Sequence, residues 1–391
     1  MTEEFEFDWS IEPHSLYVLM CAILLHINEY SQRVTNLKIL LVTGVYHPSS
    51  GGSEISIRTL MEGLHKLGHE VHTLTHRVDY FKQKEQEVLN GVNIIRINET
   101  DLKSKFFQLA EELEIDVVLT QLMWSERVLK YANLSSLKSI YFVRSVGIGL
   151  DLSIDSKIAP TAIVANSMTT KNFVKNYWKR DSYVLYPIIR FDDYYCEKRE
   201  QNYITIINPI DVKGGDIFKQ VAQIMPERNF LAVRGWQHWK NPNNGAWDIK
   251  RMESNSKAFG GKLIIPSETD FSDNVNVSVE GPFEDMRIVY AKTKLLLVPS
   301  LWEEPFGRAV VEAMLNYIPV IASKKGSLPY VVGRGGSIIN KVRSVKDWKK
   351  SIKNFDNDEY YLKKSRLAAT SSNRFHPDKL IKDFSEFLES L

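Results

Sequence analysis

The chain has 391 residues, 43% of them hydrophobic and 25% charged, which suggests two globular domains. Fifty Lys and Arg residues against 48 Asp and Glu residues leave a net charge of +2, and this argues against a protein that binds nucleic acid mainly through phosphates. The only cysteines, Cys21 and Cys196, exclude a disulfide framework or a Cys-based zinc site, and two such thiols are typical of a reducing cytoplasm.

Residues 1–35 stand apart from the rest of the chain. Their apolar run, Ser15–Ile27, is shorter than the ~18 residues that a membrane-spanning helix needs. It follows the acidic residues Glu3, Glu4 and Glu6, whereas a signal peptide begins with positive charge. We interpret residues 1–35 as an appendage. A docking helix, a peripheral membrane contact and sequence upstream of a misassigned start codon remain open alternatives.

From residue 36 the chain alternates between short apolar strands and amphipathic helices. The run Lys38–Thr43 predicts a buried strand. A helix follows its loop, with Ser53 as predicted N-cap and Gly68 as predicted end. Further strands are predicted at Val71–Thr75, Val92–Ile97, Val117–Thr120, Ser139–Val143 and Ala162–Ala165, with a helix at Leu102–Leu113. These β-α-β units predict a parallel sheet covered on both faces.

After a polar stretch at residues 187–202 a second alternation begins. Its predicted strands are Tyr203–Ile207, Phe230–Val233, Val275–Glu280, Leu295–Val298 and Pro319–Ala322. We therefore predict an α/β protein with two Rossmann-like, doubly wound parallel-sheet domains, residues 36–190 and 191–375, facing a cleft. A last helix, residues 376–391, is expected to pack back on the first domain.

The polar stretch 236–272 interrupts this alternation. It carries three tryptophans, Trp236, Trp239 and Trp247. Their rings either stack on a sugar or pack the stretch against its own domain.

Two segments carry candidate chemistry. The pair Gly51-Gly52 between a strand and a helix either lets the backbone approach an anion at the helix start or makes a tight turn.

The second segment carries two glutamates. Glu304 and Glu312 are eight residues apart, and Pro305 suits the first turn of a helix that continues through Glu312. Glu312, flanked by apolar residues, needs a partner. That partner is either a hydroxyl-rich ligand such as ribose or Arg308, in an i, i+4 ion pair on a solvated face.

The segment Glu304-Pro-Phe-Gly-Arg-Ala-Val-Val-Glu312 resembles the E-x7-E signature of glycosyltransferase family 4, retaining enzymes of the GT-B fold that use nucleotide sugars. Gly51-Gly-Ser-Glu54, Val212-Lys-Gly214 and Pro319-Val-Ile-Ala322 resemble other motifs of that family, in the same order. The resemblance implies an N-terminal acceptor domain and a C-terminal nucleotide-sugar domain.

The resemblance also implies roles for individual residues. Glu312 would hold the ribose hydroxyls, and the main-chain N–H groups of Phe306, Gly307 and Arg308 would bind the donor sugar and diphosphate, with Gly51 and Gly52 nearby. Glu304 would lie near the sugar, and Lys213 would pair with the diphosphate. A fixed cation there stabilises the charge that develops on the leaving group, so no metal or other cofactor is expected.

Three positions depart from the family pattern. Asn208 stands where the family commonly has Arg, and Arg234 is a candidate to replace that cation. Arg144 stands where the family often has His, so it either faces the cleft as an acceptor contact or forms a structural ion pair. Tyr330 stands in place of a Glu. His47, in the glycine loop, is a second candidate acceptor contact.

A metal site is not expected. His65, His69, His72 and His76 are close in sequence, but Gly68 ends the helix between the first two. The only D-x-D match, Asp356-Asn357-Asp358, lies beyond the last predicted strand, and we interpret it as a solvated loop.

Together these features predict a retaining glycosyltransferase that moves a sugar from a UDP- or GDP-sugar to a hydroxyl acceptor: a glycan, a glycolipid or a small metabolite. A degenerate nucleotide-sugar-binding or partner subunit and a nucleotide-sugar epimerase remain alternatives. A nicotinamide dehydrogenase is less favoured, because the first loop lacks G-x-G-x-x-G. We expect a cytoplasmic protein, membrane-associated on that face if residues 1–35 touch a bilayer, and no nucleic-acid partner.

Overall fold

The computed structural model describes residues 36–49, 51–78, 83–146, 158–235 and 267–391. The predictions for residues 1–35, for Cys21 and for Trp236, Trp239 and Trp247 lie outside these ranges. Within them, no helix combines the length and apolar character that crossing a bilayer requires. Cys196 is a buried free thiol, and burial raises its pKa.

The first half of the described chain forms an eight-stranded sheet. Its strands are β1 (Lys38–Thr43), β2 (Glu70–His76), β3 (Gln86–Leu89), β4 (Val92–Ile97), β5 (Val117–Gln121), β6 (Lys138–Val143), β7 (Ala162–Ala165) and β8 (Tyr183–Val184). They lie in the order β3-β4-β2-β1-β5-β6-β7-β8, all parallel except for the β3–β4 pair. Because helices cover both faces, β1 and β5 are almost entirely buried.

The described residues between these strands form four helices. They are α1 (Gly52–Lys66), α2 (Leu102–Glu112), α3 (Ser125–Leu134) and α4 (Met168–Phe173), the last followed by a π turn at Val174–Trp178. The predicted N-cap at Ser53 is wrong, because α1 already begins after Gly51. Ser53 therefore lies inside the first turn, where its hydroxyl donates to Glu54 Oε2 at 2.8 Å. The predicted end is correct: α1 stops at Lys66, and Gly68 has a φ of +101°.

The second half forms a six-stranded, all-parallel sheet. Its strands are β9 (Tyr203–Ile207), β10 (Phe230–Val233), β11 (Val277–Glu280), β12 (Thr293–Val298), β13 (Val320–Ser323) and β14 (Gly336–Ile339). The order is β11-β10-β9-β12-β13-β14, so the winding reverses between β9 and β12. The helices are α5 (Gly215–Gln223), α6 (Arg287–Lys292), α7 (Arg308–Met314), α8 (Leu328–Val332), α9 (Val345–Asn354), α10 (Asp358–Ser372) and α11 (Pro377–Glu389). Two doubly wound sheets confirm the predicted fold class.

The last helix returns to the first sheet. Leu380, Ile381 and Phe384 of α11 belong to the same apolar core as β1 and α1, and the rings of Phe384 and Phe142 lie 5.7 Å apart. Beside this core, His69 Nδ1 accepts a hydrogen bond from the main-chain N–H of Leu37 at 3.2 Å. The other ring nitrogen of His69 lies 2.7 Å from Ser385 Oγ. His69 thus links the beginning of the first sheet to the end of the chain.

This link predicts a loss of stability in mild acid. Burial lowers the pKa of His69, so folding favours the neutral ring. Its contribution to the free energy of unfolding is present above the unfolded pKa of ~6.5 and is lost as pH falls through the lower folded pKa. Urea unfolding at about pH 7 and about pH 5.5 should show a smaller pH-dependent loss in His69→Gln than in the parent. The same substitution at exposed His65 should leave the loss unchanged; equal effects at both positions would contradict the assignment.

Polar contacts among the described residues also join the two halves near the carboxyl ends of their strands. Ser327 Oγ donates to Thr169 Oγ1 at 2.8 Å, and Tyr186 OH donates to Tyr330 OH at 3.0 Å. Arg308 Nη1 donates to the carbonyl oxygen of Ile188 at 2.9 Å. The loops at the carboxyl ends of the two sheets are therefore in contact.

Candidate active site

The reversal of winding between β9 and β12 opens a crevice beyond their carboxyl ends, where ligands bind in sheets of this kind. The two loops that follow these strands touch each other there. Leu301 N–H donates to the Val212 carbonyl at 2.9 Å. Gly214 has a φ of +78°, and a Cβ on it would lie 2.1 Å from the Pro299 carbonyl oxygen. Glycine is therefore required for the Lys213 loop to approach the loop after β12.

Lys213 and Glu304 meet in this crevice. Lys213 Nζ lies 2.5 Å from Glu304 Oε1, and Ser300 Oγ donates to the same oxygen at 2.8 Å. The Lys213 ammonium also lies 5.7 Å from the centre of the Trp302 ring. Glu304 is 4% exposed, whereas the Lys213 side chain keeps 30% of its surface exposed. A buried carboxylate thus holds a partly accessible cation at the switch point.

The predicted helix start at Pro305 is wrong. Helix α7 begins at Arg308, because Gly307 adopts a φ of +98° and serves as its N-cap. Pro305 lies in the preceding loop, where its carbonyl accepts a hydrogen bond from Ser327 Oγ at 2.8 Å. Among the described residues, none accepts a hydrogen bond from the main-chain N–H of Phe306, Gly307 or Arg308. These donors remain available to an anion.

The loop after β13 fixes the main chain of Glu304. Ser327 N–H donates to the Glu304 carbonyl at 2.8 Å. Gly326 N–H donates to Glu303 Oε2 at 2.6 Å. A Cβ on Gly326, whose φ is +52°, would lie 2.1 Å from the Glu304 carbonyl oxygen. The orientation of the Glu304 loop therefore depends on a glycine at 326.

We expect Gly326→Ala to lower both the thermal unfolding midpoint and the rate of the sugar-transfer reaction that the sequence predicts. The added methyl group would displace the Glu304 loop, in addition to the cost of about 1 kcal/mol for a left-handed alanine. Gly68→Ala is a matched control, because Gly68 also has a positive φ, +101°, and a Cβ on it would meet only the Asn36 side chain, at 3.2 Å. Scanning calorimetry and initial rates on both variants should show a much larger loss at 326. Equal losses would contradict this interpretation.

Glu312 is 7% exposed and has protein partners. Tyr290 OH donates to Glu312 Oε2 at 2.7 Å, and Arg308 Nε lies 3.4 Å from Glu312 Oε1. Burial, with the nearby Glu312 carboxylate, raises the pKa of Tyr290 well above its usual value. The i, i+4 ion pair considered from the sequence does form, but it is buried, not on a solvated face.

Arg308 connects this ion pair to the first half of the chain. Besides its bond to Ile188, its Nη2 donates to Tyr194 OH at 3.2 Å. A Cβ on Gly52 would lie 3.0 Å from Arg308 Cδ, so Gly52 leaves space for this side chain. A Cβ on Gly51 would lie 2.1 Å from Glu54 Oε2. Packing against neighbouring side chains thus accounts for a glycine at both positions. The predicted part of Gly51 and Gly52 in donor binding stays a prediction.

The two candidate acceptor contacts lie in the first half of the chain. His47 Nδ1 lies 3.0 Å from Arg58 Nη1, and burial together with the Arg58 charge lowers the pKa of His47. Arg144 follows β6, and its Nε donates to Gln121 Oε1 at 2.7 Å. No Asp or Glu in the described ranges forms an ion pair with Arg144, and its predicted part in acceptor binding stays a prediction.

Asn208 and Arg234 line a common cavity of about 590 Å³ beyond β9 and β10. Asn208 has a φ of +58°, and the Arg234 side chain is 55% exposed with its Nε 4.0 Å from Glu268 Oε2. The compensation of Asn208 by Arg234 therefore stays a prediction.

Among the described residues, no three His, Cys, Asp or Glu side chains lie close enough together to bind a metal ion. The D-x-D match begins a helix and is not a plain loop: Asn357 Oδ1 accepts from the Tyr360 N–H at 2.8 Å, and Asp356 pairs with Arg228 at 2.7 Å.

Sequence reasoning missed several neighbours of the site. Tyr290, Ser300 and Trp302 contact the predicted residues directly, and Ser327 fixes the loop that carries Glu304. Ser300 and Trp302 lie in the loop after a predicted strand, which is a usable signal. Tyr290 is 22 residues before its partner Glu312, and no spacing in the sequence joins the two.

Comparison with known proteins identifies the fold of the chain and matches part of its sequence to a protein family. Residues 267–374 match the family model "Glycosyl transferases group 1". A glycosyltransferase from Rickettsia africae superposes with a TM-score of 0.70 at 14% identity, covering 91% of this chain and 98% of that one. HepE of Anabaena, solved in complex with UDP-glucose, gives a TM-score of 0.67 at 17% identity over 91% and 100% of the two chains. The protein has the GT-B fold of these glycosyltransferases.

Among curated sequences, the O-antigen chain mannosyltransferase RfbU of Salmonella typhimurium is 23% identical over 198 residues, 50% of either chain. An MMP α-(1→4)-mannosyltransferase of Mycolicibacterium hassiacum is 35% identical over 88 residues, 22% of this chain and 20% of that protein. The chain thus spans about half or less of the curated relatives that it matches.

Proposed function

We propose that the chain is a retaining glycosyltransferase that transfers a sugar from a UDP- or GDP-sugar to a hydroxyl acceptor. The proposal is supported by the match of residues 267–374 to a glycosyltransferase family model, and by structural similarity to a protein solved with UDP-glucose. The E-x7-E resemblance of residues 304–312 suggests the retaining outcome. The low cysteine content accords with a cytoplasmic location.

The observation that carries the proposal is the Lys213–Glu304 pair at the switch point. When the bond between sugar and diphosphate breaks, negative charge grows on the leaving group. Lys213 offers a cation whose position is fixed in advance by Glu304 and Ser300. The main-chain N–H groups of residues 306–308, which no described residue accepts, offer further donors nearby. Groups that need no reorganisation during the reaction stabilise a transition state most effectively, and this set would act without a metal.

A thermal-shift screen against UDP-, GDP- and ADP-sugars tests the proposal, because a ligand that binds the folded state raises its unfolding midpoint. The stabilising donor is then incubated with the protein, and release of the free nucleotide diphosphate is measured without and with hydroxyl acceptors. Transfer with an unchanged anomeric configuration by NMR supports the proposal. Absence of stabilisation by every nucleotide sugar would overturn it.

A binding or partner subunit is the second candidate, and one observation favours it. The position of the common family Arg is occupied by Asn208, so the diphosphate would meet one cation fewer. A pure binder would be stabilised by the donor yet release no diphosphate even over long incubation, whereas an enzyme shows slow donor hydrolysis.

A further inference from the structure

Arg144 is held firmly at the carboxyl edge of the first sheet. It directly follows β6, and its Nε donates to Gln121 Oε1, at the end of the neighbouring strand β5. Its guanidinium lies 4.8 Å from the centre of the Phe142 ring, and its carbonyl accepts from Asn166 Nδ2 at 2.9 Å. These contacts fix the position of the guanidinium before any ligand arrives.

The charge of Arg144 is unpaired in the described part of the chain. Its Nη1 and Nη2 have no hydrogen-bond partner there. Burial lowers its pKa to about 10; Glu54 raises it and Arg308 lowers it further. Among the described residues no carboxylate forms an ion pair with this mostly buried guanidinium, and an anionic ligand would compensate its charge.

Other buried or half-buried arginines in the described ranges contrast with Arg144. Arg96 pairs with Glu87 at 2.5 Å, Arg190 pairs with Glu62, and Arg308 lies 3.4 Å from Glu312. The fold therefore supplies a carboxylate to comparable guanidinium groups. Arg144 instead donates its side-chain hydrogen bond to the neutral amide of Gln121.

Gln121 adds a second unsatisfied donor at the same place. Its side chain is fully buried, and no described residue accepts a hydrogen bond from its Nε2. Because Oε1 accepts from Arg144, Nε2 is left as a donor. A buried donor without an acceptor destabilises a folded protein, so an anion beside Arg144 and Gln121 would supply the acceptor that the described residues do not.

We propose that Arg144 binds a carboxylate or phosphate group carried by a charged sugar, in the cleft between the two sheets. The proposal rests on the proposed function and adds the class of sugar substrate. The diphosphate already has Lys213 and the N–H groups of residues 306–308, whereas Arg144 belongs to the opposite half of the chain. The planar guanidinium has four N–H groups that no described residue accepts, and it matches carboxylate and phosphate oxygens in a two-pronged geometry.

The test compares neutral and charged sugars by calorimetry on the full chain. The donor arm uses UDP-glucose against UDP-glucuronic acid and GDP-mannose against GDP-mannuronic acid. The acceptor arm titrates glucose and mannose against their 6-phosphates and uronic acids, with and without UDP or GDP. Parent, Arg144→Gln, Arg144→Lys and the exposed control Arg334→Gln are compared, with thermal unfolding as a check on folding.

We expect the charged member of a pair to bind the parent about tenfold or more tightly than the neutral one in one arm. Arg144→Gln should abolish this preference, Arg144→Lys should keep part of it, and Arg334→Gln should keep all of it. The arm that responds distinguishes the transferred sugar from the acceptor. No preference in either arm, or a loss of plain UDP or GDP affinity equal to the loss for charged sugars, overturns the proposal. Failure of every nucleotide to bind the parent overturns the proposed function instead, and the nucleotide-free titrations then decide the role of Arg144.

Discussion

Replacement of Lys213 with alanine is expected to lower turnover about a hundredfold or more, the loss typical of removing one fixed group that stabilises a developing anion. The ammonium lies 2.5 Å from a carboxylate that is almost fully buried, so its position is set before the donor binds. The effect should fall mainly on kcat, because charge on the leaving diphosphate increases as the bond breaks. Steady-state rates of diphosphate release measure it.

The structural cost of this substitution can be separated from the chemical one. Lys213→Ala leaves Glu304 buried with Ser300 as its remaining side-chain partner, and an unpaired buried carboxylate destabilises a fold. The double variant Lys213→Ala/Glu304→Gln removes that charge, so it should recover thermal stability without recovering turnover. Recovered turnover in the double variant would argue that Lys213 serves the fold alone.

A neighbouring ion pair provides the matched control. Lys325 lies 2.9 Å from Glu303 in the adjoining loops, and the side chains are 34% and 54% exposed. Exposed pairs of this kind contribute about 0–1 kcal/mol. Lys325→Ala should therefore change turnover little, and a loss as large as that of Lys213→Ala would contradict a special role for Lys213.

The fold was predictable because its signals are local and repeated. A buried parallel strand needs a short apolar run, as in Lys38–Thr43 and Tyr203–Ile207, and both form strands with those bounds. Helix starts were harder to predict, because they depend on backbone geometry that the sequence does not show directly. Gly307 takes a φ of +98° and delays α7 until Arg308. Pro305, which suggested the start of this helix in the sequence, lies outside it.

The site was predictable only in part. The E-x7-E and Lys-Gly motifs singled out Lys213, Glu304 and Glu312 as candidates, but no motif indicated that the first two would pair with each other. That pairing requires Gly214 to fit against the Pro299 carbonyl, a contact between loops that are 85 residues apart in sequence. Local patterns carry no information about such contacts, and the same holds for Tyr290 and its bond to Glu312.

Replacement of Glu312 with glutamine is expected to raise the dissociation constant for UDP or GDP about tenfold or more. If Glu312 accepts hydrogen bonds from the pentose hydroxyls, the substitution removes the charge that strengthens them. Glutamine keeps the size of the side chain and retains an oxygen for Tyr290, whose OH now donates to Glu312 at 2.7 Å. Calorimetric titration with the diphosphate measures the change.

A ligand pair distinguishes this role from a structural one. The parent should bind UDP more tightly than 2′,3′-dideoxy-UDP, whereas Glu312→Gln should bind the two about equally, because the interaction that tells them apart is gone. Tyr290→Phe serves as the matched variant. It removes the hydrogen bond that Tyr290 OH donates to Glu312 but should preserve discrimination between the two ligands. Equal discrimination in the parent and in Glu312→Gln would show that Glu312 holds Arg308 and Tyr290 in place and does not contact the pentose.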